Sequence, residues 1–305
     1  MSRRYGLMLI LLALIWGSSF MFIKIAVREL DPATLILGRL ALAAVTLGVV
    51  VPLLVGTRTT VHELRLHWRA LAVVGLLNTA LPFWLLSWGE TRIDSGLASI
   101  LQASVPIFNA LLAFLFFHDQ RVTNRMLAGV AVGFVGVALL VGAQPQAKVL
   151  GALAVVAMAT CYAVGGLLTK QYLSDTKPHV VAFGTAAIAA VAVLPFGVAA
   201  APSTMPGWDT LASVAVLGIL GTAVAYLLFF TIIAGAGAAY ASLVTYLVPP
   251  VALAYGAIFL DESVGLAALV GLVLIFAGVT FGTRAPRRRA AASSDTRFAA
   301  ASPEP

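Results

Sequence analysis

Charge is what this sequence has least of. Only 10% of its 305 residues are Asp, Glu, Lys or Arg, where a soluble globular domain carries about 25%. With 61% of residues hydrophobic and a mean hydropathy of +1.02, the chain is placed among integral membrane proteins. Strict alternation of apolar and polar residues is missing too, which excludes a transmembrane β-barrel and leaves helices. Cysteine is nearly absent: Cys161 alone cannot close a disulfide within the chain. The four histidines, His62, His67, His118 and His179, are scattered without metal-ligand spacing, so no metal is expected. Paired carboxylates, a Ser/His/Asp set and a phosphate-cradling Gly-Lys-Ser loop are lacking. That argues against an enzyme, excludes an ATP-hydrolysing domain in this chain and leaves no cofactor expected.

Acidic residues are also missing from the middle of every apolar run. All twelve fall at or beyond run ends, Glu29, Glu90, Asp94, Asp119, Asp261 and Glu262 among them. A proton relay normally uses a carboxylate at the bilayer midplane, so coupling through a buried acid is disfavoured.

What is present is a series of apolar runs close to the roughly 20 residues that cross a bilayer. They predict helices at roughly 5–27, 33–55, 69–89, 95–117, 125–143, 149–171, 178–200, 210–231, 239–260 and 264–283. Residues 210–260 carry no charge and are too many for one helix; Gly235-Ala236-Gly237 is the natural break. The run after Pro178 is expected to end in the Pro195, Pro202 and Pro206 region. Ser2-Arg3-Arg4 superficially resembles a twin-arginine export signal, but nine further spans favour a cytoplasmic anchor. Residues 285–305, Arg-rich and then Ala/Ser/Pro-rich, are expected to form a disordered cytoplasmic tail.

The net charge of +7 suggests nucleic acid only if its distribution is ignored. With the N-terminus inside, fourteen Lys and Arg fall on the inner side and four (Lys24, Arg28, Arg92, Lys148) on the outer, with Arg39 left over inside the second span. Such a split places both termini in the cytoplasm, at the inner membrane, with no role for nucleic acid.

The chain is built twice. Ser99–Asp119 and Ser242–Glu262 share a Ser, a Pro seven residues on and a carboxylate thirteen residues beyond it (Pro106 and Asp119; Pro249 and Glu262). Trp16, Lys24 and Pro32 recur as Tyr162, Lys170 and Pro178, 146 residues later. Gly75, Thr79, Phe83 and Ser99 recur 143 later as Gly218, Thr222, Tyr226 and Ser242. The expected units are residues 1–145 and 146–284. Five helices per unit is an odd number, so the second enters the membrane from the opposite side. Inverted repeats serve alternating access, in which two similar halves expose a central site to either side.

The pattern LIWGSSFMFIK at 14–24, Arg39, the Pro106 and Pro249 helices closing in Asp119 and Glu262, and the endings Gly129 to Val137 and Gly271 to Val279 resemble the EamA family of the drug/metabolite transporter superfamily. The resemblance spans roughly residues 5–283. It implies ten helices, a central cavity and outward movement of small metabolites, often amino acids or related compounds. Two positions depart from the pattern: Arg39 is matched by Thr185 in the second half, and Asp119 follows His118 where glutamate is more usual.

Candidate cavity residues come from neutral polar and aromatic positions sharing helix faces. They are Asn78, Thr79 and Phe83, echoed by Thr222 and Tyr226; Ser99 and Gln102, echoed by Ser242, Thr245 and Tyr246; and Trp16, Ser19 and Tyr162 from the first helix of each half. Hydrocarbon offers Asn78 and Gln102 no hydrogen-bond partners, whereas a wet cavity does; bonding between helices is the plainer use. Arg39 has two readings, a cation facing the cavity or clamping the halves, and an arginine snorkelling outward. Lys24 and Lys170 are gates or interfacial anchors. Gly129, Gly133, Gly271 and Gly278 provide close packing within the chain or a homodimer face. Trp68, Trp84, Trp88 and Trp208 suit interfacial belts, with Trp84 alternatively facing the cavity. The expected partners are a small-molecule substrate and the lipid bilayer. A nucleotide-sugar or organophosphate exchanger is the alternative within transport, and it needs several cavity cations where only Arg39 qualifies.

Overall fold

Local sequence sets most helix boundaries. Asp31 caps the second helix, its Oδ1 accepting from the Ala33 N–H at 2.8 Å, and Pro32 occupies the first turn, where a missing N–H is harmless. Gly56, at φ +90°, is the single residue between the second and third helices, and Gly237, at φ +89°, turns the chain between the eighth and ninth.

The computed structural model describes residues 3–116, 124–142 and 144–283. The expected charges His118 and Asp119, and the 285–305 tail, lie outside the described residues. Among those described there is no strand, and the helices form ten spans. The first five are Arg3–Ala26, Pro32–Val55, Thr57–Glu90, Ser95–Gln102 continued by Val105–Phe116, and Asn124–Gly142. The second five are Gln146–Tyr172, Pro178–Ala199, Trp208–Ala236, Ala238–Ala241 continued by Val244–Phe259, and Leu266–Thr283. The protein is an all-α integral membrane protein of two inverted five-helix repeats.

The seventh helix, Pro178–Ala199, ends where expected and runs through Pro195, its apolar flanks staying helical around one lost N–H. Two details depart from expectation. The third helix begins at Thr57, well before 69, because the polar stretch carrying Arg58, His62, Glu63 and Arg65 is helical before the apolar run starts. The third and eighth spans each contain a π-helical segment, Leu76–Ala80 and Val216–Val224, at repeat-related positions. In the third, Pro82 has no N–H for the Asn78 carbonyl, and the Leu81 N–H reaches back five residues to Leu76. Pro106 has the matching effect in the fourth span, which breaks at Ala103–Ser104 just before it.

Packing follows the inverted repeat. The second span packs on the seventh and the fifth on the tenth; the first-to-ninth contact is matched by fourth-to-sixth, and third-to-sixth by first-to-eighth. At the fifth–tenth contact a side chain on Gly278 would run into the backbone of Gly129 and Gly133, and one on Gly136 into the Gly271 carbonyl. These glycines therefore pack within the chain, the first of their two expected uses. Large apolar side chains such as Leu53, Val191 and Ile258 are exposed on the outside, as a lipid-facing surface requires.

The bundle has two ends: a terminal end, where Arg3 and Thr283 lie, and a far end bearing the 27–31, 91–94 and 260–265 turns.

Candidate functional site

Arg39 lies in the middle of the second span with 5% of its surface exposed. Its Nε donates to Thr222 Oγ1 in the eighth span at 2.9 Å, and its guanidinium carbon sits 3.8 Å from the centroid of the Phe83 ring in the third. Tyr162 and Tyr226 are within electrostatic range. The arginine clamps the two halves rather than snorkelling to the interface. A guanidinium at depth is stabilised by donating to a hydroxyl and stacking on an aromatic face, and this one does both.

The π segments make that contact. Thr222 Oγ1 donates in turn to the Leu217 carbonyl five residues back, at 2.9 Å, and so presents a lone pair to Arg39. Gly218 lets the second span approach closely, since a Cβ there would meet the Arg39 carbonyl at 2.8 Å. The mirror contact exists: a Cβ on Gly75 would meet the carbonyl of Thr185, the repeat partner of Arg39, at 3.0 Å. Thr185 Oγ1 instead donates to the Val181 carbonyl at 2.8 Å. The clamp is one-sided although the backbone around it is duplicated.

Aromatic side chains extend the cluster. Trp16 packs on Phe229 at 5.4 Å, Phe229 on Phe230 at 5.8 Å, and Phe230 on Tyr226 at 6.1 Å. Nothing in the sequence pattern singles out Phe229 or Phe230; the turn of the eighth span after its π segment brings Phe229 beside Trp16 and Phe230 beside Tyr226. Ser19 is buried and donates to the Ile15 carbonyl; Gly221 next to Thr222 lies close against its hydroxyl. Thr79, four residues before Phe83, is buried, and Asn78 sits against the backbone of Gly165 in the sixth span.

The fourth and ninth spans contribute unequally. Ser99 is buried with its hydroxyl on the Gly96 carbonyl at 2.7 Å, and Gln102 is half-buried. Their counterparts Ser242 and Thr245 are exposed, while Tyr246 packs edge-on against Phe276 at 5.2 Å. Trp84 is exposed and stacks on Trp88, away from Arg39.

Lys24 is no solvent anchor. Its Nζ donates to the carbonyls of Glu90 and Ile93, both at 2.7 Å, tying the first span to the turn between the third and fourth. Beside it, the Glu262 carboxylate accepts from the Ser95 and Gly96 N–H groups and from Ser95 Oγ, capping the fourth span from the second half. Asp261, at φ +56°, and the Glu262 N–H bonded to the Gly256 carbonyl at 3.1 Å form the helix-ending turn that aims this carboxylate. At the terminal end Lys170 is exposed. Among the described residues, Val105–Phe116 and Ala238–Ala241 share no packing comparable to that of Ser95–Gln102 on Val244–Phe259. Among the described residues, the far end is thus tied across the two halves by Glu262 on Ser95 and Gly96.

Glu90 ends the third span, as expected, and none of its surface is exposed; the turn after it is tied to the first span by Lys24.

Two inverted five-helix halves meeting on a buried polar and aromatic cluster are the architecture of a multi-pass membrane protein. The chain belongs to the EamA-like transporter family, whose model matches it twice, over residues 4–142 and 149–283. It is therefore a transporter and not an enzyme. It is 32% identical over 297 residues to a probable terminal-alkyne amino-acid exporter of Streptantibioticus cattleyicolor, covering 95% of this chain and 97% of that one. A probable amino-acid metabolite efflux pump of Escherichia coli is 27% identical over 302 residues, covering 93% and 97%. A crystal structure 18% identical in sequence matches the fold with a TM-score of 0.64 over 93% of this chain and 97% of that one.

Proposed function

We propose that this protein exports a small neutral or zwitterionic metabolite, an amino acid or a related compound, across the cytoplasmic membrane by alternating access. Residues 1–145 and 146–284 act as the exchanging halves, with both termini in the cytoplasm. The similarity to two proteins named as amino-acid exporters or efflux pumps supports the substrate class. The excess of Lys and Arg on the terminal side supports the orientation.

The observation that carries the mechanism is the unequal treatment of two equivalent lysines. Lys24 fixes the turn between the third and fourth spans through two main-chain carbonyls, where Glu262 of the second half caps the fourth span, while Lys170 stands exposed at the terminal end. In this reading the conformation is sealed outward and open towards the cytoplasm, and the opposite state exchanges the roles of the two lysines. The Arg39 cluster, with Trp16, Phe83, Tyr162, Thr222 and Tyr226, forms the wall that the substrate passes. One fixed cation suits a carboxylate of a zwitterion; a sugar nucleotide or organophosphate would call for more.

Counterflow in proteoliposomes with a mixed amino-acid pool tests this. Uptake is expected, and Gln102→Ala and Tyr246→Ala are expected to change its rate without loss of folded protein. No uptake of any amino acid by folded protein would refute the substrate class; unchanged flux in both variants would refute the cavity face.

A further inference from the structure

Glu90 is the one carboxylate in the described structure whose two oxygens are both buried without a hydrogen-bond partner. It is enclosed by protein, with no exposed surface, so lipid composition does not decide its surroundings. The charges within electrostatic range of its carboxyl are Lys24 from the first span, Glu262 from the turn after the ninth, and Arg39 from the second. Lys24 directs its ammonium to main-chain carbonyls instead of to the carboxyl. Glu262 is of like charge and is already engaged with Ser95 and Gly96. Arg39 is held by Thr222 and Phe83. The sixth span brings Gly151, Ala154 and Val155 against the neighbouring Gly89, and its Lys148 is paired with Asp94 at 3.5 Å. The first turn of the fourth span offers no ionisable side chain.

An ionised carboxylate enclosed without a donor is heavily disfavoured, and the neutral acid much less so. Water is close by: Lys24, Asp94, Lys148 and Glu262 line a cleft of about 330 Å³ open at the far end. Parting Lys24 from the 90–93 turn would join that cleft to Glu90.

We propose that Glu90 is a proton-binding site linked to the seal at the far end: the sealed state holds Glu90 as the neutral acid, and opening lets it ionise. On opening, the O–H bond breaks, the proton passes to water in the cleft, and the electron pair stays on the carboxylate beside Lys24. The sealed state thus binds one proton more than the open one. It is favoured at low pH and loses ground as pH rises. Combined with the export reading above, on which this consequence rests, Glu90 makes the outward seal sensitive to pH; its proton leaves and returns through the same far-end cleft.

The test needs no substrate, so it stands apart from any failure of the transport assay. Spin labels at Thr91 and Ser263, placed in a Cys161→Ala background and reconstituted in liposomes, report the distance across the seal. The open-to-sealed ratio is expected to rise with pH by up to about tenfold per unit for a single linked proton. Glu90→Gln is expected to remove that dependence and hold the short distance throughout. A ratio that ignores pH in the otherwise unchanged protein, or that titrates equally in Glu90→Gln, overturns the proposal. Infrared spectroscopy of the unsubstituted protein covers the case in which Glu90→Gln does not fold. A protonated-carboxyl stretch from a group slow to exchange with deuterium is expected at neutral pH, and its absence also overturns the proposal.

Discussion

Glu262 accepts two hydrogen bonds from Ser95, one from its N–H and one from its Oγ, each at 2.8 Å. The two residues stand 167 positions apart and belong to opposite halves, so in the proposed mechanism this contact is made only while the far end is shut. Hydrogen bonds to a charged group contribute roughly 1.5–3 kcal/mol each. Glu262→Ala is therefore expected to raise opening at the far end by at least about tenfold, since about 1.4 kcal/mol is a factor of ten. Labelling of a cysteine placed at Leu97 by a membrane-impermeant maleimide checks it. Unchanged labelling would mean the seal does not depend on this cap.

Lys24→Ala and Lys170→Ala are expected to act in opposite directions. The first releases the 90–93 turn and exposes the far end; the second weakens only the state not seen here. Paired labelling at Leu97 and at the exposed Thr245 reads both, and a common direction of change would contradict an exchange of roles.

Arg39→Lys keeps the charge but loses the planar fork that holds Thr222 and stacks on Phe83. Counterflow is expected to fall at least tenfold, and Thr222→Val to fall in the same sense. A double-substitution cycle of Arg39 with Phe83→Leu, read by thermal unfolding in detergent, should give a coupling of about 0.5–2 kcal/mol. Additive effects would show the stacking to be incidental.

Gly278→Ala places a methyl against the Gly129 carbonyl and the Gly133 backbone, which have no flexible end to move aside. Overpacking of this kind destabilises by about 1–3 kcal/mol. Gly166→Ala is the control, because nothing lies within 4 Å of its Cβ position. The expected result is a clear fall in melting temperature for the first and none for the second.

Much of this architecture is legible residue by residue. Ten apolar runs, their proline and glycine boundaries, and the 146- and 143-residue offsets are local or periodic properties, and each survives in the folded protein. The Arg39 clamp was legible in part: a charge inside an apolar run demands a partner, yet nothing in the run names one. Thr222 and Phe83 were both picked out as cavity residues for another reason, the repeat. The π segments and the aromatic step through Phe229 were not legible, because one extra residue in a helical turn leaves no mark on hydropathy.

By itself the sequence determined that this is a helical membrane protein of two inverted halves, since bilayer insertion depends on the apolar content of each run and duplication on register alone. Only the tertiary structure decided that Glu262 caps the fourth span across the halves, that Lys24 and Lys170 differ in their contacts, and that Glu90 is enclosed. Those outcomes depend on what other spans bring against a residue. A near-symmetric chain has two comparable packings at every such contact, and only the folded arrangement chooses between them.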